Sequence, residues 1–397
     1  MVLKAFKLRL YPNKTQRNQI HVNFGCARFV WNQMLNMHIE RYKNNKKAKF
    51  QGRYSMDVML KALKIEYPWL KQAESTSLQR VNRDLDDAFQ RFFNHSLQNG
   101  FPRFKSKKNT NQSYTSKFVN NNIRIVDEHH IKLPKLGLVY FKAGRILNGK
   151  IRAVTVRVNS RKQYQASILV ESENQTFKKT KKSVGIDLGL KSLTITSDGQ
   201  KEDILKVDDG LNKQLRIWER KKSRRYENAK KAMAFDEHDK VLFPRTDLKQ
   251  FPRYQQAVRT VAKLKKHIAE RRRDNLHKLT TRLVKDYDTI VVENLSVKNM
   301  MKNHHLSASI ANASWGTLIS QLKYKCAWYG KRLIIIDPKN TSRICHECKQ
   351  KNHEFDSFSQ SEWLAAREWD CPNCHAHLDR DVNAAKNILA KGLETLS

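Results

Sequence analysis

Four cysteines near the end of the chain have spacing that suits metal chemistry. Cys345-x-x-Cys348 and Cys371-x-x-Cys374 match a zinc ribbon, in which each pair forms a knuckle and gives two thiolates to one tetrahedral ion. The 22 residues between the pairs slightly exceed the usual ribbon spacing, so a loop at Glu354–Ser361 is expected to bulge out. His346, His353, His375 and His377 could substitute as ligands, but four thiolates already complete the shell. A lone redox CxxC is the competing reading, and the second pair argues against it.

Acidic residues follow at once, in Asp379-Arg380-Asp381-Val382-Asn383-Ala384-Ala385. Two more stand on upstream apolar strands: Asp187 within Val184-Gly-Ile-Asp-Leu-Gly-Leu190, and Glu293 after Ile290-Val-Val292. A carboxylate in such a strand is costly unless it meets a cation or hydrogen-bond donors. Asp381 opens a helix, where the dipole favours the ionised form. Gathered together, Asp187, Glu293 and Asp381 would repel one another without metal. Two magnesium ions about 4 Å apart would neutralise them and clamp both oxygens of a phosphodiester displacement. Singly, each acid has a plain reading: a turn residue, a lysine partner or a helix cap. The ordered set on an α/β frame favours the metal site. Gly185–Gly189 also resembles the first phosphate loop of actin-like ATPases, but no D-x-G-x-G-T loop follows.

Composition points to the substrate. Lys and Arg number 77 against 38 acidic residues, a formal charge of +39 in 397 residues. Solubility alone asks for a net charge of about 2–8; an excess this large implies a polyanionic partner. The basic run Arg271-Arg272-Arg273, on an amphipathic stretch at 253–285, is a candidate phosphate contact. No apolar run approaches the roughly 20 residues of a spanning helix. The N-terminus alternates like a strand and lacks a signal core, so an intracellular, cytoplasmic protein is expected. There is no P-loop, and Cys26 and Cys326 read as core residues.

The positioning elements follow from periodicity. Phe6, Leu8 and Leu10 alternate with Lys7 and Arg9 in a first strand. Helical patterns run from about Thr15 to Lys43, from a cap at Ser55 to before Pro68, and from Ser75 through Leu78, Val81, Leu85, Phe89 and Phe92. Short alternating strands then recur to about residue 175, with Asn159–Lys162 as one connection. The expected architecture is multidomain α+β and α/β: a β-barrel of residues 1–12 and 100–175, interrupted by a helical bundle at 13–99. Beyond a polar linker, 176–397 alternates strands and helices. It includes helical stretches at about 209–234 and 253–285 separated by Pro244 and Pro252, a helix capped by Ser314, and a last helix from about Asp381.

Taken together, Leu8-Arg-Leu-Tyr-Pro12, Phe101-Pro-Arg-Phe104, Lys132-Leu-Pro-Lys-Leu-Gly137, Val184-Gly-Ile-Asp-Leu-Gly189, Leu276-His-Lys-Leu279, Val292-Glu-Asn-Leu295, Thr341-Ser342 and the Asp379-x-Asp-x-Asn-Ala-Ala end resemble the TnpB family. These are insertion-sequence proteins related to type V CRISPR effectors, and the resemblance covers almost the whole chain. It implies an RNA-guided DNA endonuclease with a ribonuclease-H-like (RuvC) domain, the zinc ribbon at 341–378 being inserted in it. A wedge-type barrel and a helical recognition insert would read a short motif beside the double-stranded target. By motif match Asp187, Glu293 and Asp381 are catalytic, and Gln79 is a candidate base contact. The implied partners are a guide RNA from the protein's own locus and target DNA, bound by one protein copy. Lys349 and His375 stand where the family often has glycine after each CxxC pair. A nuclease-inactive guide-programmed DNA binder and a transposase joining DNA ends are the alternatives.

Overall fold

The computed structural model describes residues 1–397 except 98, 110, 143, 145–147, 160–162, 205–208, 233–244, 305, 340, 359–361, 363–365 and 397. Pro244 and parts of the expected 159–162 and 354–361 loops lie outside the described residues. The chain divides into two compact units, Met1–Glu173 and Asn174–Ser397.

In the first unit, strand β1 (Val2–Tyr11) precedes three helices: α1 (Lys14–Asn44), α2 (Arg53–Glu66) and α3 (Ser75–Phe93). Six strands follow: β2 (Gln112–Lys117), β3 (Arg124–Ile125), β4 (His130–Leu133), β5 (Gly137–Lys142), β6 (Lys150–Val158) and β7 (Tyr164–Ser172). All seven join one antiparallel sheet in the order β2-β6-β7-β1-β5-β4-β3. Among the described residues no pairing between β2 and β3 closes it. The period-2 pattern sets its buried face, with Leu8, Leu10, Val154, Val156, Ala166 and Ile168 packed into one core with the helices.

One expected cap differs: Gly52, not Ser55, precedes α2. α3 opens at Ser75 as expected, and Glu74 before it is the cap, accepting from the amides of Thr76 and Ser77. The Glu74 carboxylate also accepts from Ser116 on β2 at 2.9 Å. It therefore serves both helix and sheet from a buried position, a role a sequence search for Ser, Thr, Asp or Asn overlooks.

The second unit carries a five-stranded sheet of order β10-β9-β8-β11-β12. Its strands are β8 (Ser183–Asp187), β9 (Ser192–Thr196), β10 (Lys201–Asp203), β11 (Thr289–Glu293) and β12 (Arg332–Ile336). β8, β11 and β12 run parallel, while β9 and β10 fold back antiparallel. Helices α4 (Asp209–Lys231) and α5 (Pro252–Asp286) lie between β10 and β11 in sequence. The short α6 (Val297–Met300), α7 (Ser307–Ala313) and α8 (Trp315–Tyr329) lie between β11 and β12. Ser314 begins α8 in a left-handed conformation, without a side-chain cap bond. A small hairpin, β13 (Glu368–Asp370) and β14 (His377–Asp379), leads into the last helix, α9 (Arg380–Glu394).

Parity along the parallel strands assigns the two faces. Val184, Ile186, Ile290 and Val292 pack with Leu276, Leu283, Leu318 and Leu322 of α5 and α8. Val291 instead packs with Ile388 of α9. Gly185 belongs to that second face: a Cβ there would stand 2.1 Å from the Ala385 carbonyl oxygen. Residues 187 and 293, two positions further along each strand, share the α9 face.

Candidate active site and metal centre

The register Val291↔Gly185 and Val292↔Ile186 brings the C-terminal ends of β8 and β11 level. Asp187 and Glu293 are the last residues of these neighbouring strands. This is the edge of a parallel sheet where ligand sites collect. α9 crosses this face with Ala385 and Leu389 against Gly185 and Gly392 against Val291. Its N-terminal turn, bearing Asp381, therefore lies toward the same edge.

Electrostatics report the convergence. The Asp187 carboxyl is pushed up to about 7, first by desolvation and then by the charges of Glu293 and Asp381. Burial also raises Glu293, partly offset by the Thr341 hydroxyl, which donates to Glu293 Oε1 at 2.6 Å. Asp381 Oδ1 accepts from Arg380 at 3.1 and 2.9 Å, and Oδ2 from Arg367 at 3.4 Å. Asp379 has a different task. Its side chain caps α9, accepting from the amides of Asp381 at 3.0 Å and Val382 at 2.9 Å, and it pairs with Lys201 at 2.6 Å. Burial works to raise the Asp379 pKa, but Lys201 and those amides hold it below the usual carboxylate range.

The sulfurs of Cys345, Cys348, Cys371 and Cys374 all lie within 4.8 Å of one another. Sγ of Cys345 is 3.7 Å from that of Cys374, and Sγ of Cys348 is 3.6 Å from that of Cys371. Tetrahedral Zn–S bonds of about 2.3 Å put sulfurs about 3.8 Å apart, so the cluster fits one zinc ion. Among the described residues it is the group that closes around one point; the histidines do not join it. His353 and His377 pair instead with Asp356 and Asp370. The three carboxylates form no such single-ion cage, but they offer the hard oxygen donors that magnesium takes.

The two knuckles repeat one backbone pattern. The Lys349 amide donates to the Cys345 carbonyl at 3.0 Å and the His375 amide to that of Cys371 at 2.8 Å. The Cys345 and Cys371 amides reach the carbonyls of Gln350 and Ala376 at 2.9 and 3.0 Å. Lys349 (φ 62°) and His375 (φ 58°) are both left-handed, so the knuckle keeps a geometry that glycine would adopt with less strain.

Thr341 and Asn383 stand in the sequence motifs with no evident task. Asn383 and Asn387, one turn apart on α9, both donate to the Ile344 carbonyl, at 2.8 and 2.6 Å, and Asn387 also reaches the Thr341 carbonyl at 2.9 Å. Asn383 accepts from the His346 amide at 2.8 Å. The helix carrying Asp381 is thus tied to the first knuckle and to the residue that holds Glu293. The spacing of four between two asparagines was the available signal.

Candidate nucleic-acid contacts fare differently. Gln79 is exposed on α3. Arg271 and Arg273 are exposed on α5, whereas Arg272 is turned against α7, donating to the Ala311 carbonyl at 3.3 Å and Asn312 Oδ1 at 2.5 Å. The basic run is therefore not one uniform surface.

The chain is similar to several known proteins. Residues 315–388 match a family described as "Cas12f1-like, TNB domain", 167–304 one described as "Probable transposase", and 1–47 one described as "Helix-turn-helix domain". The last segment folds here as β1 and a single 31-residue helix. The chain is 33% identical over 402 residues to a Streptomyces pristinaespiralis protein named "Putative RNA-guided DNA endonuclease", spanning 99% of this chain and 90% of that one. It is 30% identical over 412 residues to "Putative RNA-guided DNA endonuclease InsQ" of Escherichia coli (strain K12), spanning 100% of this chain and 94% of that one. The protein in a cryo-EM structure of a Cas12f1–sgRNA–target DNA complex superposes with a TM-score of 0.57 at 14% identity, covering 98% of both chains. The fold is therefore a Cas12-like mixed α/β fold. No helix among the described residues is long and apolar enough to cross a membrane.

Proposed function

This chain belongs to the TnpB (IS605 OrfB) family, and on that footing we propose that it is an RNA-guided, metal-dependent DNA endonuclease. The observation that carries the reading is the Asp187 carboxyl at the end of β8, raised to about 7 by burial first and then by the charges of Glu293 and Asp381. Carboxylates crowded in this way gain most from a divalent cation.

In this reading Asp187, Glu293 and Asp381 hold magnesium, which when bound polarises the scissile phosphate and activates water. The protein's own contribution is placement. Thr341 fixes one oxygen of Glu293, Arg380 and Arg367 orient Asp381, and Asp379 secures the helix that delivers it. Zinc at the four cysteines would hold the first knuckle, and through Asn383 and Asn387 the N-terminal half of α9. We assign 176–397 as a RuvC-type nuclease domain with the zinc ribbon at 341–378. The sheet of 1–12 and 100–175 is assigned as the wedge barrel, and 13–99 as the recognition insert. Gln79, Arg271 and Arg273 are candidate nucleic-acid contacts.

A charge of +39 supplies phosphate affinity but little sequence discrimination, which pairing with a guide RNA would provide. The test is to purify the protein with RNA from its own locus and exchange the target-pairing segment. Cleavage should move to the newly matched DNA and require magnesium. Cutting that ignores the guide would favour a transposase, and guided binding without cutting would favour a programmed binder.

A further inference from the structure

The helical part of the first unit holds a cavity of about 700 Å³ that the nuclease site does not use. Its walls are aromatic. His38 stacks on Phe50, with ring centroids 4.9 Å apart and 24° between planes, and Phe89 stacks on Phe93 at 6.0 Å and 24°. Phe101 stands edge-on to Phe89 at 5.5 Å. The mouth is open to water, since Phe93 and Phe101 remain 46% and 44% exposed. Arg41, Lys43 and Lys49 also line the cavity.

One polar group inside is unanswered. His38 is only 9% exposed, and its Nε2 is buried with no hydrogen-bond partner among the described residues. Burial, helped by Arg41, lowers the His38 pKa, which keeps the ring neutral near pH 7. A buried, unpaired ring nitrogen is unfavourable, and so is a wide aromatic surface left in water. A single ligand would relieve both if it were flat, carried hydrogen-bonding atoms on its edge and were joined to an anion. An unpaired nucleobase on a phosphodiester chain has all three properties.

We propose that this cavity binds an unpaired base of single-stranded RNA, stacked on the phenylalanines, its edge bonded to His38 Nε2 and its phosphates met by Arg41, Lys43 and Lys49. The choice of RNA rests on the RNA-guided reading above. A folded guide offers unpaired bases before any DNA arrives, and aromatic capture of splayed bases is the common mode of RNA recognition.

The experiment uses the full-length chain at about 0.3 M salt, where charge-driven binding is suppressed. Fluorescence anisotropy would compare labelled decauridine with the same sequence in DNA and with an RNA duplex. A Phe93→Ala/Phe101→Ala double variant should bind decauridine roughly tenfold more weakly and the duplex unchanged, while Phe93→Trp should retain binding. In the unaltered protein, decauridine carrying 5-iodouridine should crosslink to peptides containing Phe93 or Phe101. Unchanged affinity in the double variant, equal losses on the duplex, or crosslinks confined to other segments would overturn the proposal. DNA binding as tight and as sensitive as RNA would overturn the choice of RNA. Cleavage is not read here, so an inactive chain could pass this test and a working nuclease could fail it.

Discussion

Gly185 and Ala385 are in backbone contact: a Cβ on Gly185 would sit 2.1 Å from the Ala385 carbonyl oxygen and 2.6 Å from the Leu389 amide nitrogen. The last helix rests directly on β8 there, two residues before Asp187 and four after Asp381. Backbone atoms cannot rotate away from an added methyl. Gly185→Ala should therefore push α9 off the sheet, lowering stability by about 1–3 kcal/mol. It should also cut cleavage by about a hundredfold through misplaced carboxylates. Gly392→Ala meets both methyls of the buried Val291, at 2.3 Å from Cγ1 and 2.7 Å from Cγ2. That β-branched side chain has no free rotamer to turn into, so stability should fall comparably. Cleavage, read farther from the carboxylates, should fall less. Thermal melts alongside cleavage rates would check both; a fully active Gly185→Ala would refute the contact's importance.

The acids and their neighbour should separate cleanly. Asp187→Asn, Glu293→Gln and Asp381→Asn are each expected to abolish cutting while leaving guided target binding near the unaltered level. Asp379→Ala removes a helix cap, a loss of about 1 kcal/mol, and should lower the melting temperature while cleavage persists. Gel-shift and cleavage assays run in parallel distinguish these. An inactive Asp379→Ala beside an active Asp381→Asn would reverse the assignment.

Thr341→Val keeps the side-chain volume but removes the hydroxyl donating to Glu293 Oε1. That bond lowers the Glu293 pKa, which burial has already raised. Without it the carboxyl ionises only at higher pH. The acidic limb of the pH–rate profile should therefore move upward, and Thr341→Ser should move it back. An unshifted profile would mean that Thr341 does not tune this carboxylate.

Lys349 and His375 hold left-handed backbone at matching points of the two knuckles. Substituting glycine at either should relieve roughly 1 kcal/mol of strain, partly offset by unfolded-chain entropy. The expected result is slower zinc loss to a chelator and a slightly higher melting temperature. Faster loss would show that the side chains themselves matter. Replacing any of Cys345, Cys348, Cys371 or Cys374 by serine should release the ion, read by elemental analysis.

A pH-dependent contribution comes from the opposite edge of the sheet. Asp288 bonds the buried Lys331 ammonium and accepts from the Thr180 and Lys181 amides at about 3 Å. These donors, Lys331 first, hold the Asp288 pKa well below the usual carboxylate value. A carboxyl depressed in the folded state stabilises above its unfolded pKa of about 4 and loses that contribution as pH falls below it. Asp288→Asn should cost about 1–3 kcal/mol at pH 7, with the difference from the unaltered protein shrinking toward pH 3. Melts across that range would test it; a pH-independent difference would exclude the linkage.

Much of the site was legible in the sequence because its signals are local. Paired cysteines announce themselves by spacing, an apolar strand ending in an acid stands out by its cost, and a carboxylate opening a helix is a local pattern. Alternation gave β1, β6 and β7, since burial of one face enforces a period of two. Signals outside those habits were missed, such as Glu74 as a cap and the hairpin of β13 and β14, whose strands are three residues each.

Tertiary structure decided what depends on distance through space. Only the parallel register of β8 and β11 brings Asp187 level with Glu293, residues more than a hundred positions apart. Only the close approach at Gly185 seats α9 so that Asp381 perturbs Asp187. The separation of Arg272 from Arg271 and Arg273 arose in the same way: sequence groups the three by charge, while packing against α7 turns one inward. Residue types determine which chemistry is available, but mutual geometry is set by packing, whose partners lie far off along the chain.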